Sequence, residues 1–502
     1  MKQPSGLVYK PLGIDTLQEH VAFMHRDCHV CKSEGIEAQT RVELRHGDRN
    51  VIAIVNVIHS DLVSPGEISL SLNTEHDLGV KAGDTIDVTQ AAPIDSLSQL
   101  RTKIYGHRLD RHGFESIVAD VARGRYANIH IAAFLTAMAG RHANLQEVID
   151  LTSAMVNIGE RLTWGVSPVA DKHCVGGLPG NRTTPIVVAI VASAGLMMPK
   201  TSSRAITSPA GTADVMEVMT PVTLDLPDMR RVVEKEGGCF VWGGALSLSP
   251  ADDLLIKVAR PLELDSDAQL VASVLSKKIA AGSTHAVIDI PIGPTAKVRS
   301  KEQADHLEHL LNRVAFANGL NLKVVRTDGT MPVGCGIGPA LEASDVISVL
   351  RNDPLAPADL RARALTLAAE LLELCGDCDP GTGSSRAREI LDSGRAWDKF
   401  LRICNAQGGF SEPQKAPITR VVTASASGVV QTIDNRRLAR LAKLLGAPEA
   451  KTAGLTLHVT LGDSVERGDP MLTMHAQAEG ELIYACSYFD THPPMLIESK
   501  EG

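Results

Sequence analysis

Aromatic residues are scarce in this chain: Phe, Trp and Tyr together make up 3% of its 502 residues, against 44% for hydrophobic residues as a whole. Its core must therefore be built from Ala, Val and Leu, as expected of a soluble globular enzyme. An excess of positive charge is also missing. With a formal net charge of −9, the chain lacks the general attraction that a phosphate backbone rewards, so no nucleic acid is expected as a partner. No apolar run reaches the about 20 residues that span a bilayer. The segment MKQPSGLVYKPLGIDT lacks the apolar centre of a secretion signal, so a cytoplasmic protein without membrane contact is expected. Nine cysteines in so long a chain read as reduced thiols rather than a disulfide framework. Cys28-His29-Val30-Cys31 and Cys375-Gly376-Asp377-Cys378 have zinc-like spacing, but they lie far apart with no third ligand cluster, so no metal is expected.

The length predicts two to four domains. Short β-branched runs, Val51 to Val55 and Ile68 to Leu72, with a Gly83-Asp84 turn, predict a small β-rich domain over residues 1–92. From Phe114 the apolar period becomes helical, and Asn144 with Glu147 forms a capping box, which predicts a helical subdomain over 96–166 joined by part of 225–265. Beyond it, helices and strands alternate. Strands are expected at Cys239 to Trp242, His285 to Ile292 and Lys323 to Arg326, and helices from Ser249-Pro250, over about 267–281 and 302–317, so residues 167–405 read as an α/β domain with a mixed sheet. Gly334-Cys335-Gly336-Ile337-Gly338 lacks the spacing of a dinucleotide loop and reads as a glycine turn into a helix near Pro339. Strands at Ile418 to Thr423, Gly428 to Ile433, Leu455 to Val459 and Met471 to Met474 make residues 406–502 an α+β domain. The segment Gly462 to Asp469 is expected to close over that sheet.

The most informative stretch runs from Asp171 to Met219. Gly176-Gly177-Leu178-Pro179-Gly180-Asn181 frees backbone N–H groups and feeds a helix predicted to start at Thr183 or Thr184, with Pro185 in its first position. The apolar run Ile186 to Met198 has the length of a buried helix. It separates the first loop from a second, Lys200 to Thr212, which carries hydroxyls, one Lys and one Arg. A further helix is expected to open at Asp214, with Glu217 completing a capping box. Hydroxyls, two cations and two helix starts converging in this way predict an anion site, because helix N-termini attract phosphate.

These residues carry a resemblance. Ser202-Ser203-Arg204-Ala205-Ile206, followed by Ala210-Gly211-Thr212-Ala213-Asp214-Val215-Met216-Glu217, is similar to the signature of the thymidine and pyrimidine-nucleoside phosphorylase family. Asp171-Lys172-His173 with Gly176-Gly177 resembles that family's phosphate loop. The wording Gly-Gly-Leu-Pro-Gly-Asn and Ser-Ser-Arg-Ala is closer to the AMP phosphorylase branch, as is the N-terminal extension.

The resemblance implies a pentosyltransferase that cleaves an N-glycosidic bond with phosphate, with thymidine placed first as substrate and AMP second. Its partners would be a nucleoside or nucleotide and phosphate, it would need no cofactor, and it would work as a homodimer or higher homo-oligomer. Lys172, Ser202, Ser203 and Thr212 would bind phosphate, and Cys174 replaces a phosphate-binding serine with a weaker donor. Gly177, Ser203, Arg204, Ala205, Ile206, Thr207, Ser208 and Thr212 would line the substrate. The resemblance also places Arg260, Ser273, Lys277 and Lys297 on the substrate, although the Arg260 to Ser273 spacing departs from the pyrimidine members. Ser273 and Lys277 are i, i+4 on one predicted helix and can face one ligand. His173 and Asp265 would compete for the leaving base, His173 in a thymidine enzyme and Asp265 in an AMP enzyme. Two other classes remain open: a nucleotide sensor that kept the pocket, and an NAD-dependent oxidoreductase resting on Gly334 to Gly338 alone.

Overall fold

Alternation of buried and exposed residues between Arg41 and Gln90 closes a barrel. Val42, Leu44, Ala53, Val55, Ile86 and Val88 all lie within its core. The structure is a computed structural model that describes residues 6–498 except 17, 18, 141, 179, 181, 206, 207, 247, 263 and 265. It divides into two units, Met1–Arg101 with Asp120–Ile129, and Thr102–Ala119 with His130–Gly502.

In the first unit six strands form the closed barrel, in the order Gly6–Tyr9, Glu67–Leu70, Val21–His25, Arg49–Ile58, Arg41–His46, Thr85–Gln90. Antiparallel pairing of Gly6 with Asp87 and of Val8 with Thr85 closes it and leaves no open edge. Cys28 and Cys31 are buried in this unit, whereas Cys375 and Cys378 belong to the other, and all nine thiols are free.

The second unit carries the α/β core. Asn321–Asp328, His285–Ile292 and Ala170–Cys174 pair in parallel, and an isolated parallel bridge from Val169 to Met197 leads to the parallel pair Met198–Ser202 and Gly238–Trp242. The expected mixed sheet is thus parallel in every described pairing, as helical crossovers between successive strands require. Antiparallel pairing begins only where Gly336–Ile337 meets Gly454–Leu457 of the C-terminal region. There Gly454–Leu457, Pro470–Ala476 and Ile418–Thr423 form one antiparallel sheet, and Ser464–Val465, Gly428–Ile433 and Met495–Glu498 a second.

The apolar run after the glycine loop is split. Helix Thr183–Ser193 is fully buried from Ile186 to Val191, but Gly195 at φ +96° turns the chain, and Met198 already belongs to the next strand. In the helical region, Asn144 and Glu147 form the expected capping box ahead of Leu145–Ile158. Buried Glu147 also accepts from Lys103 at 2.7 Å and from the Leu109 N–H at 3.0 Å. No helix among the described residues is long and apolar enough to cross a membrane.

Candidate active site

Parallel strands present their C-terminal ends on one edge, where ligands of α/β sheets bind. Strand Ala170–Cys174 ends there with Lys172, His173 and Cys174. Lys172 is fully buried, and its Nζ donates to Thr183 Oγ1 at 2.6 Å and Thr184 Oγ1 at 3.3 Å, in the first turn of the following helix. That helix is capped by Arg182, so Thr183 is its first residue and Pro185 its third, two positions later than expected for the proline. In the sequence the two threonines are legible only as candidate caps; the structure places both hydroxyls as acceptors of the Lys172 ammonium. Gly176 and Gly177 adopt φ +112° and +53°, and a Cβ on Gly176 would lie 2.8 Å from the Lys297 Cβ, so Lys297 packs directly on this loop.

A second set of charges underlies the first. Asp171, wholly buried, accepts from Lys200 Nζ at 3.1 Å and pairs with Lys278 Nζ at 2.9 Å. Burial opposes its ionisation, but the two ammonium groups outweigh burial and hold it below its ordinary range. Lys200 and Lys278 thus share one carboxylate, whereas the Lys172 ammonium is opposed by Asp289 of the neighbouring strand. Burial lowers the basicity of Lys172 and brings Lys278 down to about 7. His173 is depressed further, first by burial and then by Lys278, Lys200, Lys172 and Lys277, so its ring is neutral near pH 7 and can donate a hydrogen bond without being an imidazolium. Cys174 lies opposite Asp289 in the strand register, and a Cβ on Gly180 would meet both its Sγ and Asp289 Oδ2. Burial and Asp289 push this thiol up and keep it protonated.

The second loop starts at the end of strand Met198–Ser202. Ser202 Oγ is buried without a hydrogen-bond partner among the described residues, while Ser203 is exposed. Thr212 begins helix Thr212–Glu217 at its N-terminus, capped by Gly211. The expected start at Asp214 lies two residues too late, because Asp214 itself supplies the cap: its Oδ2 accepts from Gly211 N at 2.8 Å and Ala205 N at 2.6 Å. Glu217, expected in a capping box, instead grips Arg204 with two bonds of 2.8 and 2.7 Å. Arg204 also lies 4.7 Å over the Trp242 ring, so its fork is spent on holding the loop. Ser208 Oγ donates to Ala210 O at 2.9 Å. Ile206, Thr207 and Asp265, assigned to the site by resemblance, lie outside the described residues.

Ser273 and Lys277 share a face of helix Asp267–Ala280, as their spacing requires, and both meet Asp252 Oδ2, at 3.0 and 2.6 Å. Asp252 carries no sequence motif and was missed. Arg260 does not join them. It is exposed at the far end of helix Pro250–Ala259, eight residues and so about 12 Å along the axis from Asp252. Arg182, also without a sequence motif, is buried with its Nη1 bonded to Gly336 O and, at 3.0 Å, to Asp345, which ties the glycine loop to helix Pro339–Leu350. The glycine turn before that helix has its N–H groups taken by Asp359 (Gly334) and Asp345 (Cys335, Gly336), which leaves them unable to cradle a dinucleotide.

A parallel α/β domain whose strand ends gather lysines, threonines and a helix N-terminus beside a second polar wall has the layout of an α/β enzyme site. Residues 98–159 match the helical bundle domain of the glycosyl transferase family, residues 166–397 its a/b domain, and residues 429–491 the pyrimidine nucleoside phosphorylase C-terminal domain. The chain belongs to the thymidine and pyrimidine-nucleoside phosphorylase family, as an enzyme of pentosyltransferase type. It is 57% identical over 497 residues to a Cupriavidus necator protein provisionally named thymidine phosphorylase 1, covering 99% of this chain and 96% of that one. A Legionella pneumophila protein with a similar provisional name is 55% identical over 497 residues, with the same coverage. Anthranilate phosphoribosyltransferase from Thermus thermophilus shares the fold at a TM-score of 0.53 and 19% identity, over 62% of this chain and 99% of its own.

Proposed function

We propose that the enzyme cleaves thymidine with inorganic phosphate, releasing thymine and 2-deoxy-α-D-ribose 1-phosphate. The observation that carries this reading is the division of the site into a positive end at Lys172, Thr183 and Thr184 and a separate wall, Ser273 with Lys277, whose one ammonium is matched by Asp252. The positive end suits phosphate and the matched wall an uncharged base. Phosphate held by Lys172, Thr183, Ser202 and Thr212 directs an oxygen at C1′ of the sugar. The C1′–N1 bond breaks, its electron pair leaves with the base, and a C1′–O bond to phosphate forms. Catalysis then consists of positioning and of stabilising charge as it develops on the base oxygens, to which a neutral His173 N–H and the Lys277 ammonium are suited to donate. Phosphate is a substrate, and the reaction needs no cofactor.

AMP is the second reading, with adenine and ribose 1,5-bisphosphate as products. Lys297 packed against Gly176 favours it, since this is an additional cation beside the phosphate loop. Asp265 would then be the acid that protonates the purine. A phosphate-dependent assay over thymidine, uridine, AMP and CMP separates the readings, and phosphate binding without turnover of any of them would return the chain to the class of nucleotide sensors. The working form in this reading is a cytoplasmic homodimer paired through the helical region, where Ile104 and Tyr105 are 50% and 78% exposed. A monomer at micromolar concentration by light scattering would refute the dimer.

A further inference from the structure

Two consecutive lysines on one helix have different partners. Lys278 turns to Asp171, a carboxylate it shares with Lys200, and so adds to the positive phosphate end. Lys277 turns to Asp252, which is wholly buried and comes from the first turn of a neighbouring helix. The same Asp252 oxygen receives the Ser273 hydroxyl at 3.0 Å, while its Oδ1 is buried without a hydrogen-bond partner among the described residues. Asp253 adds a further negative field on the Lys277 ammonium. Lys277 is nonetheless near enough to the phosphate end to act on His173. An unmatched ammonium at that range would compete with Lys172 for the phosphate dianion, since charges in a poorly solvated site are weakly screened.

We propose that Asp252 is a specificity-determining positioning residue: by matching Lys277 and orienting Ser273, it reserves both for the uncharged base and confines inorganic phosphate to the Lys172 end. This rests on the reading that Ser273 and Lys277 meet the base. The carboxylate holds the two donors side by side, one turn apart, and with Asp253 also opposing the ammonium the pair offers hydrogen bonds without a surplus positive charge. At the other end Asp171 is divided between two lysines, Lys200 and Lys278.

The test is steady-state kinetics of the full-length enzyme with the nucleoside and phosphate varied independently. Asp252→Asn should raise the KM for nucleoside roughly tenfold or more, as expected when a charge-assisted hydrogen bond is lost. It should leave the KM for phosphate unchanged and introduce inhibition by excess phosphate, competitive with nucleoside, that the parent enzyme lacks. In Asp252→Asn combined with Lys277→Gln that inhibition should vanish while the nucleoside KM stays high. A packing role for Asp252 would not create phosphate inhibition that depends on Lys277. An unchanged nucleoside KM in Asp252→Asn, or a raised one without phosphate inhibition, overturns the proposal. If Asp252→Asn does not fold, Asp252→Glu, which keeps the charge but displaces it, must raise the nucleoside KM alone, and an equal rise in both KM values overturns the proposal. Ser273→Ala and Lys277→Gln report separately on the underlying reading: if neither changes the nucleoside KM, the base-binding assignment itself fails.

Discussion

Lys172 Nζ and Thr183 Oγ1 meet at 2.6 Å where a strand end faces a helix start, so one ammonium and the first helical hydroxyl form a single edge, the one proposed to hold phosphate. Thr183→Val removes that hydroxyl with little change in shape, and Lys172→Ala removes the charge. Both variants, and Thr212→Ala, should raise the KM for phosphate while leaving the circular dichroism spectrum intact. For Lys172→Ala the loss should be on the order of 2–4 kcal/mol of transition-state stabilisation. Unchanged phosphate kinetics in both Lys172→Ala and Thr212→Ala would sink the site assignment.

His173 is surrounded by lysines and neutral, which sets a pH test. Its depressed basicity means that the unfolded chain binds a proton there more readily than the folded one. The associated stability is therefore present above about pH 6.5, the ordinary histidine value, and is lost as pH falls below it. His173→Asn should flatten the fall in Tm across that window. If thymidine is the substrate, His173→Ala should lower turnover more than Asp265→Asn, and if AMP is, the order should reverse. Equal, mild effects on every active substrate would mean that neither group serves the leaving base.

Lys451, from the C-terminal region, donates to Glu217 Oε2 at 2.7 Å, and Glu217 in turn grips Arg204 of the substrate loop. Arg204 and then Lys451 bring the Glu217 carboxyl down to about 2, so the chain of charges is intact at any working pH. Because Lys451 is half-exposed, its loss should cost about 1 kcal/mol or less. The expected outcome for Lys451→Ala is a modest rise in the nucleoside KM with the phosphate KM unchanged, and recovery in Lys451→Arg. A rise confined to phosphate would exclude this route of positioning.

Glu342 is fully buried beside Arg182, and burial pushes it up to about 7 despite the pull of the guanidinium. A raised acid contributes stability that is present below its unfolded value of 4.5 and lost as pH rises through about 7. The full effect corresponds to about 3 kcal/mol. Glu342→Gln should accordingly reduce the loss of stability between those limits and leave the protein no less stable at pH 8, as read by denaturant midpoints at several pH values. A Glu342→Gln variant that is strongly destabilised at pH 8 would mean that the residue acts as the ionised partner of Arg182.

Local chemistry was legible wherever one segment contains its own cause. Strands His285–Ile292, Ile418–Thr423 and Gly428–Ile433 stand at their predicted limits because β-branched runs there are bounded by turn residues, and the Asn144–Glu147 cap formed because both partners lie in one turn. Where helix ends depended on competing partners, the reading slipped. Asp214 was assigned as a helix start but caps the turn before it, and Glu217 left its cap position for Arg204, a stronger, charged partner.

The amino-acid order by itself determined the Asn144–Glu147 cap and the sharing of one helical face by Ser273 and Lys277, since both follow from spacing within a single element. Only the tertiary structure decided that Thr183 and Thr184 lie under Lys172, that Arg260 stands apart, and that Lys277 and Lys278 serve opposite ends of the site. Successive residues leave a helix about 100° apart. Which carboxylate each lysine meets therefore depends on the element packed against that side, and Asp252 and Asp171 arrive there from distant parts of the chain.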